Sequence, residues 1–126
     1  MSYKTRHEKL AYRIALQSQS KFRMGAILTK GSNVINVGVN NMYKTHPITS
    51  RYTHRPLGTH AEVSVCKRVT PEDIIGSTIY ICRVLKNGKI AMAAPCECCM
   101  QILTLFSVRG VYFSTDQETF SYKRIS

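Results

Sequence analysis

The fold is decided between Thr59 and Cys99, where the chain reads THAEVSVCKRVTPEDIIGSTIYICRVLKNGKIAMAAPCECC. His60 to Val69 has the pattern of a helix, stopped at Thr70-Pro71 because a residue before proline is pushed out of the helical region. Thr78 to Val84 follows with β-branched and aromatic residues and little polar alternation, which predicts a central strand covered on both faces. Asn87-Gly88 marks a turn, and Pro95 opens a further helix reaching about Phe106. A helix, a buried strand and a helix in that order imply a sheet with helices laid on it.

Working outward, Leu10, Ala11, Ile14 and Ala15 recur at helical spacing between Lys4 and Lys21 and predict an amphipathic first helix. Met24 to Thr29, the turn residues Gly31-Ser32-Asn33 and the alternating Ile35, Val37 and Val39 predict a hairpin. Residues 41 to 59 have no periodicity and hold Pro47, Pro56 and Gly58. That is a long loop, and long loops in compact domains are usually functional. Val111 to Phe113 is a strand parallel to Thr78–Val84, and a final strand near Phe120 to Lys123 is expected to be truncated or rearranged. The expected fold is one α/β domain over residues 1–126, with three α/β/α layers and a mixed sheet of four to five strands covered by helices.

Composition narrows the partners. Among 126 residues, 18 Lys and Arg against 7 Asp and Glu give a formal charge of +11. Such a balance disfavours cationic ligands and favours phosphate, as a nucleotide or a nucleic acid. Five cysteines cannot all pair internally, and neither end has the pattern of a secretory signal, so a reducing, cytoplasmic location is expected. Apolar runs such as Thr78 to Leu85 fall well short of the ~20 residues needed to cross a bilayer, and no membrane partner is expected.

The chemistry concentrates in His60-Ala61-Glu62 and Pro95-Cys96-Glu97-Cys98-Cys99. H-x-E followed by P-C-x-x-C is the signature of zinc deaminases. A catalytic zinc takes three nitrogen or thiolate ligands and leaves its fourth position for water, a count met by His60, Cys96 and Cys99. Cys96 and Cys99 share a helix face near a helix start, where thiolates are stabilised; Cys98 points elsewhere. Glu62 lies close enough to reach the open position without joining the ligands, as a proton carrier must. Two other readings stand beside this one. A closed structural site would need a fourth ligand, with His46, His54, Cys66, Cys82 and Cys98 as nominal candidates, and a redox CxxC would need a βαβ opening that is absent here.

On THAEVSVC and APCECC, over about residues 5 to 116, the chain resembles the cytidine deaminase superfamily and its deoxycytidylate deaminase-like branch. The resemblance implies one Zn2+ per chain on His60, Cys96 and Cys99, with Glu62 as the catalytic proton shuttle. Zinc hydroxide would attack C4 of cytosine while Glu62 protonates N3 and then the leaving amine, giving uracil and ammonia. The resemblance also assigns the Ala61 backbone amide to the pyrimidine carbonyl and Asn40, ending the second strand, to the sugar. It further suggests a homo-oligomer assembled through the second and third predicted helices, where Val63, Cys66, Ile102 and Leu105 are apolar on more than one face. tRNA adenosine deaminases usually carry Glu where this chain has Ala94, which favours cytosine over adenine. Members regulated by nucleoside triphosphates generally show Gly-Tyr-Asn-Gly where this chain has Gly38-Val39-Asn40-Asn41, so such regulation is not expected.

From Lys9 through Ala61 there are eight Lys or Arg and no acid. Within the long loop, Lys44, His46 and Arg51 are the candidate substrate contacts, and Lys44-Thr45-His46-Pro47 looks like loops of deoxycytidylate deaminase-like proteins. The leading expectation is a hydrolase acting on the C–N bond of a cyclic amidine, converting a free (deoxy)cytidine nucleotide, foremost dCMP, to its uracil form. The interleaved Tyr43, Tyr52, Arg51 and Arg55 keep open a deaminase acting on cytosine in single-stranded DNA or RNA. A non-catalytic nucleic-acid-binding module is the third reading, and Glu62 speaks against it.

Overall fold

The structure, a computed structural model, describes residues 5–18, 23–40, 61–66, 69–95 and 97–125, without the side chains of Glu62, Val63 and Cys98. Helix α1 (Arg6–Leu16) begins where the Thr5 hydroxyl accepts a hydrogen bond from the Glu8 amide at 3.1 Å, an N-cap that supplies an acceptor to an otherwise orphaned N–H. Its apolar face buries Ala11, Ile14 and Ala15. Strands β1 (Arg23–Lys30) and β2 (Asn33–Val39) form the expected antiparallel hairpin, turned at Gly31 with φ 63°, a conformation that glycine adopts without steric cost.

After α2 (Ala61–Ser64) and α3 (Pro71–Ile74) come β3 (Thr78–Val84), β4 (Ile90–Ala91), α4 (Glu97–Leu105), β5 (Gly110–Ser114) and β6 (Phe120–Arg124). The mixed sheet has six strands in the order β2-β1-β3-β5-β6, with β4 also on β3. β1 runs antiparallel to β3, β3 parallel to β5, and β5 antiparallel to β6. A parallel pair needs a crossover, and the segment carrying α4 makes it.

β3 is the middle strand, and its alternation separates two cores. Ile79 and Ile81 pack with Ala61, Val65 and Leu103 on the α2 and α4 side. Cys82 and Val84 pack with Ala11 and Ala15 of α1 on the other. The three-layer α/β/α expectation is thereby met. A cross-strand aromatic row, Tyr80, Tyr112 and Tyr122, links β3, β5 and β6, with ring centroids 4.7 Å and 4.6 Å apart.

Several expected boundaries change. Residues 60–69 do not form one described helix: α2 ends at Ser64 and turns at Val65 and Cys66. Pro71, expected only to stop a helix, starts α3, because a first-turn proline loses no intrahelical bond. The helix expected from Pro95 begins at Glu97. The sheet gains a sixth strand, β4, beyond the four to five expected. The final strand, expected near Phe120 to Lys123, is β6 (Phe120–Arg124), which folds back antiparallel onto β5 through a turn at Asp116 and Gln117. The long loop, residues 41 to 59, lies outside the described residues.

Candidate active site

The register of the sheet gathers the candidate site at one end. Arg23 pairs with Val84, so β1 begins where β3 ends. Asn40 follows the last residue of β2 and continues the same ladder, its amide donating to the Met24 carbonyl at 3.2 Å. Past β4, the chain crosses the end of β5, where the Ala93 amide donates to the Ser114 carbonyl at 2.9 Å. The Ser114 hydroxyl donates to the Ala91 carbonyl at 2.8 Å and accepts from the Arg83 amide at 3.0 Å, stitching β3, β4 and β5 together. The carboxyl ends of β2, β3 and β5 and the approach to α4 therefore share one edge. In open α/β sheets ligands bind at that edge.

Two helices bring the chemistry. Ala61, fully buried, opens α2 in the core beside Ala26, Leu28 and Leu103. α2 lies on β1, β2 and β3 and packs against α4. Its closeness to β2 depends on Gly38: a Cβ there would lie 2.8 Å from Ser64 Oγ and 3.0 Å from the Val65 amide nitrogen. Asn36 adds a tie, its Nδ2 donating to the Val65 carbonyl at 2.9 Å. Glu62 is the second residue of α2, and His60 immediately precedes Ala61.

Cys99 occupies the first turn of α4, fully buried, and packs with Ile102 and Phe106. This placement suits a ligand sulfur, since the free amides in the first turn of a helix favour a negative charge. Cys96 is the residue just before α4. His60, Cys96, Lys44, His46 and Arg51 all lie outside the described residues. Among the described residues no three metal-ligating side chains come together, since two of the three expected ligands are not among them. The donor chemistry, one imidazole and two thiolates on chain segments that start mutually packed helices, suits zinc.

Asn40 is 7% exposed, and its Oδ1 accepts from the Ser18 hydroxyl at 2.8 Å and from the Met24 amide at 3.0 Å. Ser18 and Gly38 are site-building residues that sequence reading did not single out. Ser18 sits just past the C-cap Gln17 of α1, where a polar residue is unremarkable. Of the residues expected at a subunit interface, Cys66 and Ile102 are buried within the chain, while Leu105 is 61% exposed. Among the described residues no helix is long and apolar enough to cross a membrane.

A three-layer sheet with HAE before one inner helix and PCECC at the start of its neighbour defines a cytidine deaminase-like domain. The family model for the cytidine and deoxycytidylate deaminase zinc-binding region matches residues 1–115, and the chain belongs to that family. It is thus a hydrolase of the cytidine/deoxycytidylate deaminase type. Solved structures share the fold. The dCMP deaminase of cyanophage S-TIM5 in apo form superposes with a TM-score of 0.61 at 20% identity, covering 86% of this chain and 79% of that one. Its structure with dCMP and dUMP gives 0.51 at 18% identity, covering 86% and 75%. Acinetobacter baumannii RibD, form 1, gives 0.53 at 19% identity, covering 86% of this chain but 27% of RibD. A comparison with curated protein sequences returns no match.

Proposed function

We propose that the chain, as a single domain, hydrolytically deaminates the cytosine of a free nucleotide, foremost dCMP to dUMP, with one zinc per chain. The observation carrying this reading is the shared edge, along which Asn40, the approach to α4 at Ala93 and the carboxyl ends of β3 and β5 lie. His60, Cys96 and Cys99 would hold the metal. When bound, zinc would supply a water whose pKa is lowered to about 7. Glu62 carries one proton of the attacking water to N3, where it stays, and the second, from the C4 hydroxyl, to the departing amine, so that water enters at C4 and ammonia leaves. The Ala61 amide, at the buried start of α2, orients the pyrimidine carbonyl, and Asn40 contacts the sugar. Lys44 and Arg51 meet the phosphate, for which two or three charge-assisted donors suffice, and His46 lines the pocket. That the dCMP deaminase of cyanophage S-TIM5 was captured with dCMP and dUMP supports a monophosphate.

A second reading, deamination of cytosine in single-stranded nucleic acid, is favoured by the acid-free run from Lys9 to Ala61 with its eight cations. One panel separates the two: cytidine, deoxycytidine, their monophosphates and a single-stranded oligonucleotide, assayed with zinc-loaded protein. Turnover of dCMP at a rate the oligonucleotide does not reach supports the first reading. The reverse order, with a steep salt dependence of binding, supports the second.

A further inference from the structure

The hydrogen bonds around Asn40 assign a role to a residue outside the motif. The Met24 backbone amide can only donate, so the Asn40 side-chain atom facing it at 3.0 Å is the oxygen. An oxygen facing Ser18 Oγ at 2.8 Å accepts in turn, so the serine hydroxyl is the donor. Both lone pairs of Oδ1 are therefore occupied inside the protein. A contact from this side chain to a ligand must be made by Nδ2, as a donor.

We propose that Ser18 is a positioning residue, holding the Asn40 amide so that it meets the sugar of the nucleotide as a hydrogen-bond donor. This rests on the reading above that Asn40 contacts the sugar. The serine is 4% exposed, and its backbone is held by its own amide, which donates a hydrogen bond to the Ala15 carbonyl at 3.1 Å. Its hydroxyl thus reaches across from the end of α1 to the end of β2 with little freedom to turn elsewhere. Donation into Oδ1 also polarises the amide and strengthens Nδ2 as a donor, an effect that grows in a low-dielectric site.

The test is a set of Ser18 and Asn40 variants of the zinc-loaded chain, read by KM and kcat on dCMP, by Kd for dUMP from calorimetry, and by urea unfolding. Ser18→Ala should raise KM and Kd about tenfold, the worth of one neutral hydrogen bond, while kcat stays within about twofold. Ser18→Thr, which restores the hydroxyl, should recover the affinity. Ser18→Cys, close to serine in size but a weak donor, should behave as the alanine variant and replaces it if that protein does not fold. Asn40→Ala should weaken binding as well, and Ser18→Ala added to it should cost nothing more. If Asn40→Ala weakens binding and Ser18→Ala does not, the positioning role is wrong and the Asn40 contact stands. If neither weakens binding, the Asn40 contact itself is wrong. If Ser18→Ala lowers only the urea midpoint, with KM and Kd unchanged, the serine is merely structural and the proposal is overturned.

Discussion

Gly38 of β2 faces Ser64 of α2 with so little space that a Cβ on the glycine would lie 2.8 Å from the serine Oγ. On the adjoining position of β1, Gly25 meets the backbone of Ala15 in α1 from the opposite face. Two helices thus close on the sheet from both sides through missing side chains, a residue or two from Asn40. Helix α2, which carries Ala61 and Glu62, is seated on β2 by its last residue, Ser64, and the Val65 amide that follows.

Gly38→Ala should therefore cost stability and activity together. An added methyl against the Ser64 side chain and the Val65 amide nitrogen is an overpacking change, worth about 1–3 kcal/mol. Urea denaturation measures the first effect and dCMP turnover the second. An alanine variant with native stability and rate would mean that α2 is free to shift.

Glu62→Ala should lower kcat by about 10²–10⁴, the range of a lost general acid–base group, while the purified protein still carries about one zinc. Elemental analysis and turnover on the same sample decide it. Loss of the metal would make Glu62 a ligand instead.

The two adjacent cysteines should separate cleanly. With the proposed ligand set, Cys99→Ser, which replaces the buried sulfur in the first turn of α4, should release zinc and abolish turnover. Cys98→Ser should keep both. Competition with a chelating dye reads the affinity directly, and a zinc-free Cys98→Ser protein would move the ligand set.

Lys44→Glu and Arg51→Glu should raise KM for dCMP much more than for deoxycytidine, since only the former offers a phosphate to their charges. Equal losses on both substrates would remove these residues from phosphate recognition.

The aromatic row gives an alkaline signature. Burial pushes the Tyr80 hydroxyl above its ordinary pKa near 10, with the neighbouring Tyr112 and Glu8 adding to the rise. The neutral phenol is favoured in the folded chain, so its contribution is intact below about pH 10 and is lost as the pH climbs through the folded value. Urea midpoints should fall above pH 10, and Tyr80→Phe should flatten that fall.

Much of this architecture was legible where side-chain periodicity is long enough to read. Thr78–Val84 is seven residues of unbroken strand character, and it is the middle strand. The apolar repeat at Leu10, Ala11, Ile14 and Ala15 marks α1. β4 spans only Ile90–Ala91, too short for any pattern, and is held by contacts to β3. Pro71 reads equally as the end of one helix and the start of another, because proline is tolerated in the first turn. HAE and PCECC pointed, from residue type and spacing, to the family whose model matches residues 1–115. Ser18 was invisible for the opposite reason: it matters through Asn40, 22 positions later, and no local spacing encodes that contact. Gly38 likewise looks like an ordinary strand glycine until α2 is laid over it.

Asn40 and Ala61 form two fixed posts, one bonded to Met24 and Ser18, the other sunk in the core. Both posts are held by residues distant from them in sequence, so a substitution at Ser18 or Met24 reaches this edge of the sheet as directly as one at Asn40 itself.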